Sequence, residues 1–195
     1  MNPEQSSICC VHPIILAIPE RARQLKPREK NRFLSEQARK SLRICGRKHG
    51  IQINDLKKND KGAPIPFDGL YWSLTHKPEY VAGVLSPIPI GIDIEKIRSV
   101  ADRMLDKIAD PTEWNLSDGD RLTNFFRYWT AKEAVLKATG IGLSGLSSCK
   151  ILTIDTKDRL SVRFFDITWQ IEHFYFDRHI ASITKDRFAI DWILQ

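Results

Sequence analysis

Two long helical runs, each followed by a train of short strand-like runs, set the strongest limit on what this chain can fold into. From Pro27 onward Phe33, Leu34, Ala38, Leu42 and Cys45 recur at helical spacing, with Arg and Lys on the other face and Gly46 and Gly50 as stops. A turn-rich segment, NDLKKNDKGAPIPFDG, leads to the runs YWSLT, YVAGVLS and PIGIDIE, which read as a meander with tight connections. The order then recurs. A short helical stretch over 101–109 precedes a longer helix over 120–139 with Gly140 as its stop. The runs KILTID, LSVRFF, ITWQIEHFYF, HIASITK and FAIDWI follow as strands. The pattern predicts an α+β fold of two similar halves, each a long helix on a small antiparallel sheet. With the seam near 89–93, the halves are residues 1–90 and 91–195.

Composition places this fold among ordinary globular proteins, since 42% of the 195 residues are hydrophobic. The formal charge of +6 favours acidic partners without naming one. Cys9, Cys10, Cys45 and Cys149 show no metal-ligand spacing and no disulfide framework, so reduced thiols are expected. The N-terminal apolar run opens with Glu4 and is broken by His12, Pro13 and Pro19, which makes a poor signal peptide. No stretch approaches the ~20 apolar residues of a membrane span. A cytoplasmic protein without a membrane partner is expected.

Three carboxylates stand out. Asp93 and Glu95 in GIDIEK leave one face of a strand while Ile92 and Ile94 enter the core on the other. Such a pair repels unless a cation lies between, and a hard divalent ion suits it. Alone, such a pair is more often an ordinary exposed strand end. In the second long helix Glu133 falls in the same arc as Phe126, Trp129 and Leu136, where a carboxylate is costly unless paired or metal-bound. A salt bridge to Lys137 would also satisfy it. Lys132 and Lys137 bring positive charge alongside, and metal with flanking lysines is equipment for a pyrophosphate. His76 follows the run YWSLT and precedes Lys77-Pro78, which predicts a tight turn.

GIDIEK at 91–96 followed by FFRYWTAKEAVLKATGIGLS resembles the paired signature motifs of the 4′-phosphopantetheinyl transferases, in particular the monomeric surfactin-synthetase-type branch. The matching positions are Gly91, Ile92, Asp93 and Glu95, then Trp129, Thr130, Lys132, Glu133, Ala134 and Lys137. YWSLTH and RFLSEQAR extend the likeness over most of residues 27–146. The resemblance implies transfer of the phosphopantetheine arm of coenzyme A to a serine of an apo acyl, peptidyl or aryl carrier protein. It implies Mg²⁺ or Mn²⁺ on Asp93, Glu95 and Glu133, with Glu133 as base and Asp93 and Lys137 in the catalytic set. Coenzyme A would meet His76, Thr75, Lys132, Lys137 and Asp93. The active site would lie between pseudo-two-fold halves, with the cofactor's adenosine and 3′-phosphate and the docked carrier on the side of 1–90. A monomer with an acidic carrier partner and no nucleic acid is implied.

This chain departs from the family pattern at two places. Lys61-Gly62-Ala63-Pro64 stands where Gly-Lys-Pro is common, so the usual lysine is replaced, and Thr75 stands where serine commonly precedes the histidine. Two other readings use the same residues. A Mg²⁺-dependent nuclease would use the carboxylates and Lys137 but leaves Trp129 and His76 without a role. A nucleic-acid-binding protein would rest on the charge alone, with no recognisable RNA- or DNA-binding signature.

Overall fold

The computed structural model describes residues 10–195. Cys9 and most of the segment before the first apolar run therefore lie outside the described residues. In chain order the elements are β1 (Cys10–Val11), β2 (Ile14–Ala17), α1 (Glu20–Arg23), α2 (Pro27–Lys48), β3 (Tyr71–His76), β4 (Tyr80–Ser86) and β5 (Ile92–Lys96). Then come α3 (Asp102–Ile108), α4 (Pro111–Trp114), α5 (Arg121–Thr139), a 3-10 turn (Leu143–Ser148), β6 (Cys149–Thr156), β7 (Arg159–Phe164), β8 (Ile167–Phe176), β9 (His179–Lys185), β10 (Ala189–Ile190) and β11 (Ile193–Leu194). This is a mixed α+β architecture, as the helix and strand periodicities predict.

The first sheet has the order β11-β2-β4-β3 and is covered on one face by α2. Leu34, Ala38, Leu42 and Cys45 of α2 pack on Ile14, Leu16, Val81 and Leu85, the stripe read from the sequence. The helix runs through Gly46 and ends at Lys48. Gly50 at φ +69° then lets Ile51 N–H reach the Gly46 carbonyl and Gly50 N–H the Arg47 carbonyl, so a Schellman cap closes the end.

The second sheet has the order β5-β9-β8-β7-β6. Here the structure corrects the sequence reading: β5 does not extend the first meander but pairs antiparallel with β9, Asp93 opposite Ser182 and Glu95 opposite Ile180. Ile92 and Ile94 join Ala181 and Ile183 on one face, where Ile15, Ala82 and Val84 of the first sheet and Val11 of β1 meet them. The sheets are thus glued through this apolar cluster. The other face of the second sheet, with Leu160, Val162, Ile171 and Ile180, receives α5.

The final segment also departs from expectation. FAIDWI, read as a last strand of the second half, splits into β10 and β11, which pair parallel with β1 and β2. β11 therefore completes the first sheet, β10 and β1 form a separate two-stranded sheet, and residues from the end of the second half join strands of the first.

α5 begins where Asp120 caps it, accepting from Thr123 N–H at 2.8 Å, and ends at Gly140 in the left-handed conformation. Its sides are buried nearly all round, because the second sheet lies against one side and α3 and the 3-10 turn against others. The single apolar arc expected from the sequence is therefore not the buried face. Trp129, Glu133 and Lys137, four residues apart, form a stripe that is only half-buried, and Glu133 lies on that stripe.

Candidate active site

Gly91 sets the site's geometry. A β-carbon there would overlap the Ala134 carbonyl oxygen and stand 2.8 Å from Ala138 N, so only glycine lets the start of β5 lie directly on α5. This contact puts the stripe of Glu133 and Lys137 beside Asp93. Thr130, one turn before Glu133, fixes the helix from within, sharing a 2.5 Å hydroxyl contact with Ser182, the strand partner of Asp93. His173 Nδ1 meets the same Ser182 hydroxyl at 2.8 Å.

Asp93 is 3% exposed. Its Oδ1 accepts from Lys137 Nζ at 2.8 Å and from Thr75 Oγ1 at 2.9 Å, and Lys137 Nζ also donates to the Ile92 carbonyl. Glu95 accepts from Lys77 Nζ at 2.6 Å. The three carboxylates feel one another. Burial and then the Asp93 charge raise the pKa of Glu133, against the pull of Lys137 and Lys77. Burial likewise raises that of Glu95, opposed by the Lys77 hydrogen bond and reinforced by Asp93. For Lys77, burial works downward, yet Asp93, Glu95 and Glu133 outweigh it and the pKa lies above the ordinary lysine value.

His76 is the last residue of β3, paired with Val81, and the tight turn begins one residue later than the sequence suggested, closed by Lys77 N–H to the Tyr80 carbonyl. Its pKa is lowered, first by partial loss of water around the ring and then by Lys137, Lys77 and Lys58. The ring therefore stands among cations, the surroundings of an anion site. Two adjoining cavities of about 210 and 520 Å³ open between α5, β3 and the loop 57–66, and Lys61, Ala63 and Lys137 line both. Glu133 and Lys58 face the smaller one. Asn59 rigidifies this loop by accepting from the N–H groups of Lys61 and Ala63. Where Ala63 replaces the usual lysine, Lys61 is thus two residues away on the same wall.

Lys132 requires a correction. It is 2% exposed and turned away from the cleft, donating to Glu113 Oε1 at 2.6 Å and to the Ile108 carbonyl. Its neighbour Glu133 faces the cleft because successive helical residues point about 100° apart, so the two cannot serve one site. Glu113 also accepts from Ile151 N–H and forms a capping box with Asp110. Lys132 therefore locks α5 to α4 and β6 and lines neither of the two cavities. Sequence inspection also missed Lys58 and Ser182. The only signal for Ser182 was its alternation in HIASITK.

The donor set suits a hard divalent ion. Asp93 Oδ2 is buried without a hydrogen-bond partner, an orphaned oxygen next to two further carboxylates. As the side chains stand, no group of three His, Cys, Asp or Glu among the described residues is close enough to enclose a metal. Lys77 and Lys137 hold Glu95 and Asp93 instead.

Residues 89–190 match the model of the 4′-phosphopantetheinyl transferase superfamily, and with β5 and α5 placed as above, the chain belongs to that family. Among its relatives is the 4′-phosphopantetheinyl transferase HetI of Nostoc sp., 34% identical over 148 residues, which are 67% of this chain and 61% of HetI. The 4′-phosphopantetheinyl transferase gsp of Aneurinibacillus migulanus is 28% identical over 108 residues, 50% of this chain and 46% of the relative. For Sfp of Bacillus subtilis the identity is 28% over 109 residues, 52% and 49% of the two chains. The matched regions span about half the length of these curated relatives. No helix among the described residues is long and apolar enough to cross a membrane.

Proposed function

We propose that this protein transfers the 4′-phosphopantetheine arm of coenzyme A to a serine of an apo acyl, peptidyl or aryl carrier protein, releasing adenosine 3′,5′-bisphosphate. The observation that carries this reading is the ion pair of Lys137 with Asp93 beside Glu133, in a chain of this family: Lys137 and Glu133 line one cavity, and the Asp93 charge acts on Glu133. In this reading the two helix-on-sheet units are pseudo-two-fold halves, 1–90 and 91–195, except that β10 and β11 cross back to strands of the first, with the active site between them. The first half takes the cofactor's adenosine and 3′-phosphate and docks the carrier.

Asp93, Glu95 and Glu133 would hold Mg²⁺ or Mn²⁺. That ion would neutralise the pyrophosphate of coenzyme A and stabilise charge on the leaving bisphosphate. Glu133 accepts the proton of the attacking serine hydroxyl, directly or through a water. Its pKa, raised by burial and by the Asp93 charge, makes it a better base than a free glutamate. Lys137, held against Asp93, supplies a fixed positive charge for the phosphate oxygens. Thr75 orients Asp93 through its hydroxyl, which is why threonine in place of serine keeps the function. His76, which feels the charges of Lys137, Lys77 and Lys58, receives the 3′-phosphate, and Lys61 lines the cavity wall that lost its usual lysine. An acidic carrier is favoured by the chain's positive charge. The protein is expected to act as a monomer in the cytoplasm.

Intact-protein mass spectrometry of an apo acyl carrier protein incubated with this protein, coenzyme A and Mg²⁺ tests the reading. A gain of one phosphopantetheine that EDTA prevents is the expected result. No gain on acyl, peptidyl and aryl carriers alike would overturn it.

A further inference from the structure

Four side-chain rungs cross from β3 and its turn to β5. Ser73 Oγ accepts from Ile92 N–H at 3.1 Å, Thr75 Oγ1 donates to Asp93, Lys77 donates to Glu95, and Glu79 accepts from Lys96 Nζ at 2.7 Å. Ser73 and Thr75 alternate along β3, and Lys77 and Glu79 follow in the turn after it. The turn bond from Lys77 N–H to the Tyr80 carbonyl holds the Lys77 backbone, and Pro78 disfavours helical backbone at the residue before it.

The third rung differs from its neighbours. Asp93 is anchored at Oδ1 by two donors, whereas Lys77 is the one hydrogen-bond donor to the Glu95 carboxylate among the described residues. The Lys77 side chain keeps 30% of its exposure, so it has a free path to solvent. Asp93 Oδ2, the orphaned oxygen, has no such occupant.

We propose that Lys77 is a tethered counter-ion of the metal site, competing with the divalent ion for Glu95 and released from it when the ion binds. This rests on the functional reading above only in taking Asp93, Glu95 and Glu133 as the metal ligands. Charge balance favours the exchange. With all three carboxylates ionised, Lys77 and Lys137 leave one net negative charge, whereas withdrawal of Lys77 leaves two, the complement of a divalent cation. The ammonium also separates like charges that would otherwise repel across the seam, so β5 keeps its place against β3 whether or not metal is present. Lys77 thus lowers metal affinity while holding the carboxylates in register.

The test measures Mn²⁺ binding by electron paramagnetic resonance for the wild type, Lys77→Met and Lys58→Met, each checked for a cooperative thermal transition. Lys58 lines the same cleft but makes no ion pair among the described residues, so its replacement removes an equal charge without freeing a carboxylate. The expected result is a Kd for Mn²⁺ roughly fivefold lower in Lys77→Met, with a shift of less than about twofold in Lys58→Met. An unchanged or weaker affinity in Lys77→Met overturns the proposal, as do equal gains in both variants, which would mark a general field effect. Absence of binding in all three proteins would overturn the metal reading itself, and the proposal with it.

Discussion

Gly91 and Ala134 touch backbone to backbone: the first residue of the GIDIE motif lies beneath the carbonyl of the residue that follows Glu133. The motif's glycine is therefore a spacer, and its lack of a side chain fixes how closely the strand bearing Asp93 approaches the helix bearing Glu133. Gly91→Ala is expected to destabilise the protein by about 1–3 kcal/mol through overpacking. Metal binding should weaken further than the loss of stability explains, because α5 must lift away from β5. Urea denaturation alongside Mn²⁺ titration measures both, and wild-type metal affinity in a destabilised variant would refute the spacer role.

Glu133→Gln separates cost from function. A carboxyl whose pKa the fold raises binds its proton more tightly in the folded state, so stability falls as pH climbs from the unfolded value of 4.5 through the folded one. In chelator at neutral pH, Glu133→Gln should therefore melt at a higher temperature than the wild type. The gap should close below pH 4.5, where both states of the wild type are protonated. Transfer should meanwhile fall by about 10²–10⁴-fold, the range for loss of a general base. A variant less stable than the wild type at neutral pH would show that Glu133 is a net stabiliser.

Lys132 and Glu113, both nearly inaccessible, form a buried ion pair. Burial holds the Lys132 pKa below the ordinary lysine value although Glu113 pulls upward. Lys132→Met leaves the Glu113 carboxylate uncompensated and should cost about 3–5 kcal/mol. The same variant, assayed below its melting range, should keep the wild-type KM for coenzyme A, because Lys132 does not reach the cleft. A rise of about tenfold or more in that KM would restore Lys132 to the phosphate site.

Cys45, fully buried on α2, has its thiol pushed up from 9.0 to about 11 by burial. Between these values the unfolded chain has lost the proton and the folded chain keeps it, so stability declines with rising pH. Cys45→Ala should be less stable than wild type at neutral pH because of the cavity left behind, yet lose stability less steeply from pH 9 to 11. Parallel curves across that interval would show that the thiol does not couple to folding.

What the sequence disclosed depended on whether a signal was local. The C-terminal helix ends were legible because Gly50 and Gly140 act on the nearest turn, and α5 spans Arg121–Thr139, close to the 120–139 read from the sequence. Asp93 and Glu95 were legible because period-two alternation places them opposite Ile92 and Ile94. The partner of β5 was not, since nothing in GIDIE distinguishes pairing with β4 from pairing with β9. The burial of Glu133 was misjudged because α5 is enclosed on several sides, and a helical plot assigns one face to a helix with one partner. Lys132 was misassigned for a related reason: adjacency to Glu133 in sequence is divergence on a helix. The lysines of the loop 57–66 reach the cleft only through tertiary packing.

Gln195 N–H donates to the Ile15 carbonyl and Ala17 N–H to the Gln195 carbonyl, so the free edge of β2 is closed by β11 and the residue after it. During synthesis these residues leave the ribosome after every other strand described here. The first sheet must therefore wait, with one edge of β2 unpaired, until the second sheet has been made. The first half cannot be finished as an independent nascent domain, and release of residues 193–195 from β2 would expose that edge to any other chain able to pair with it.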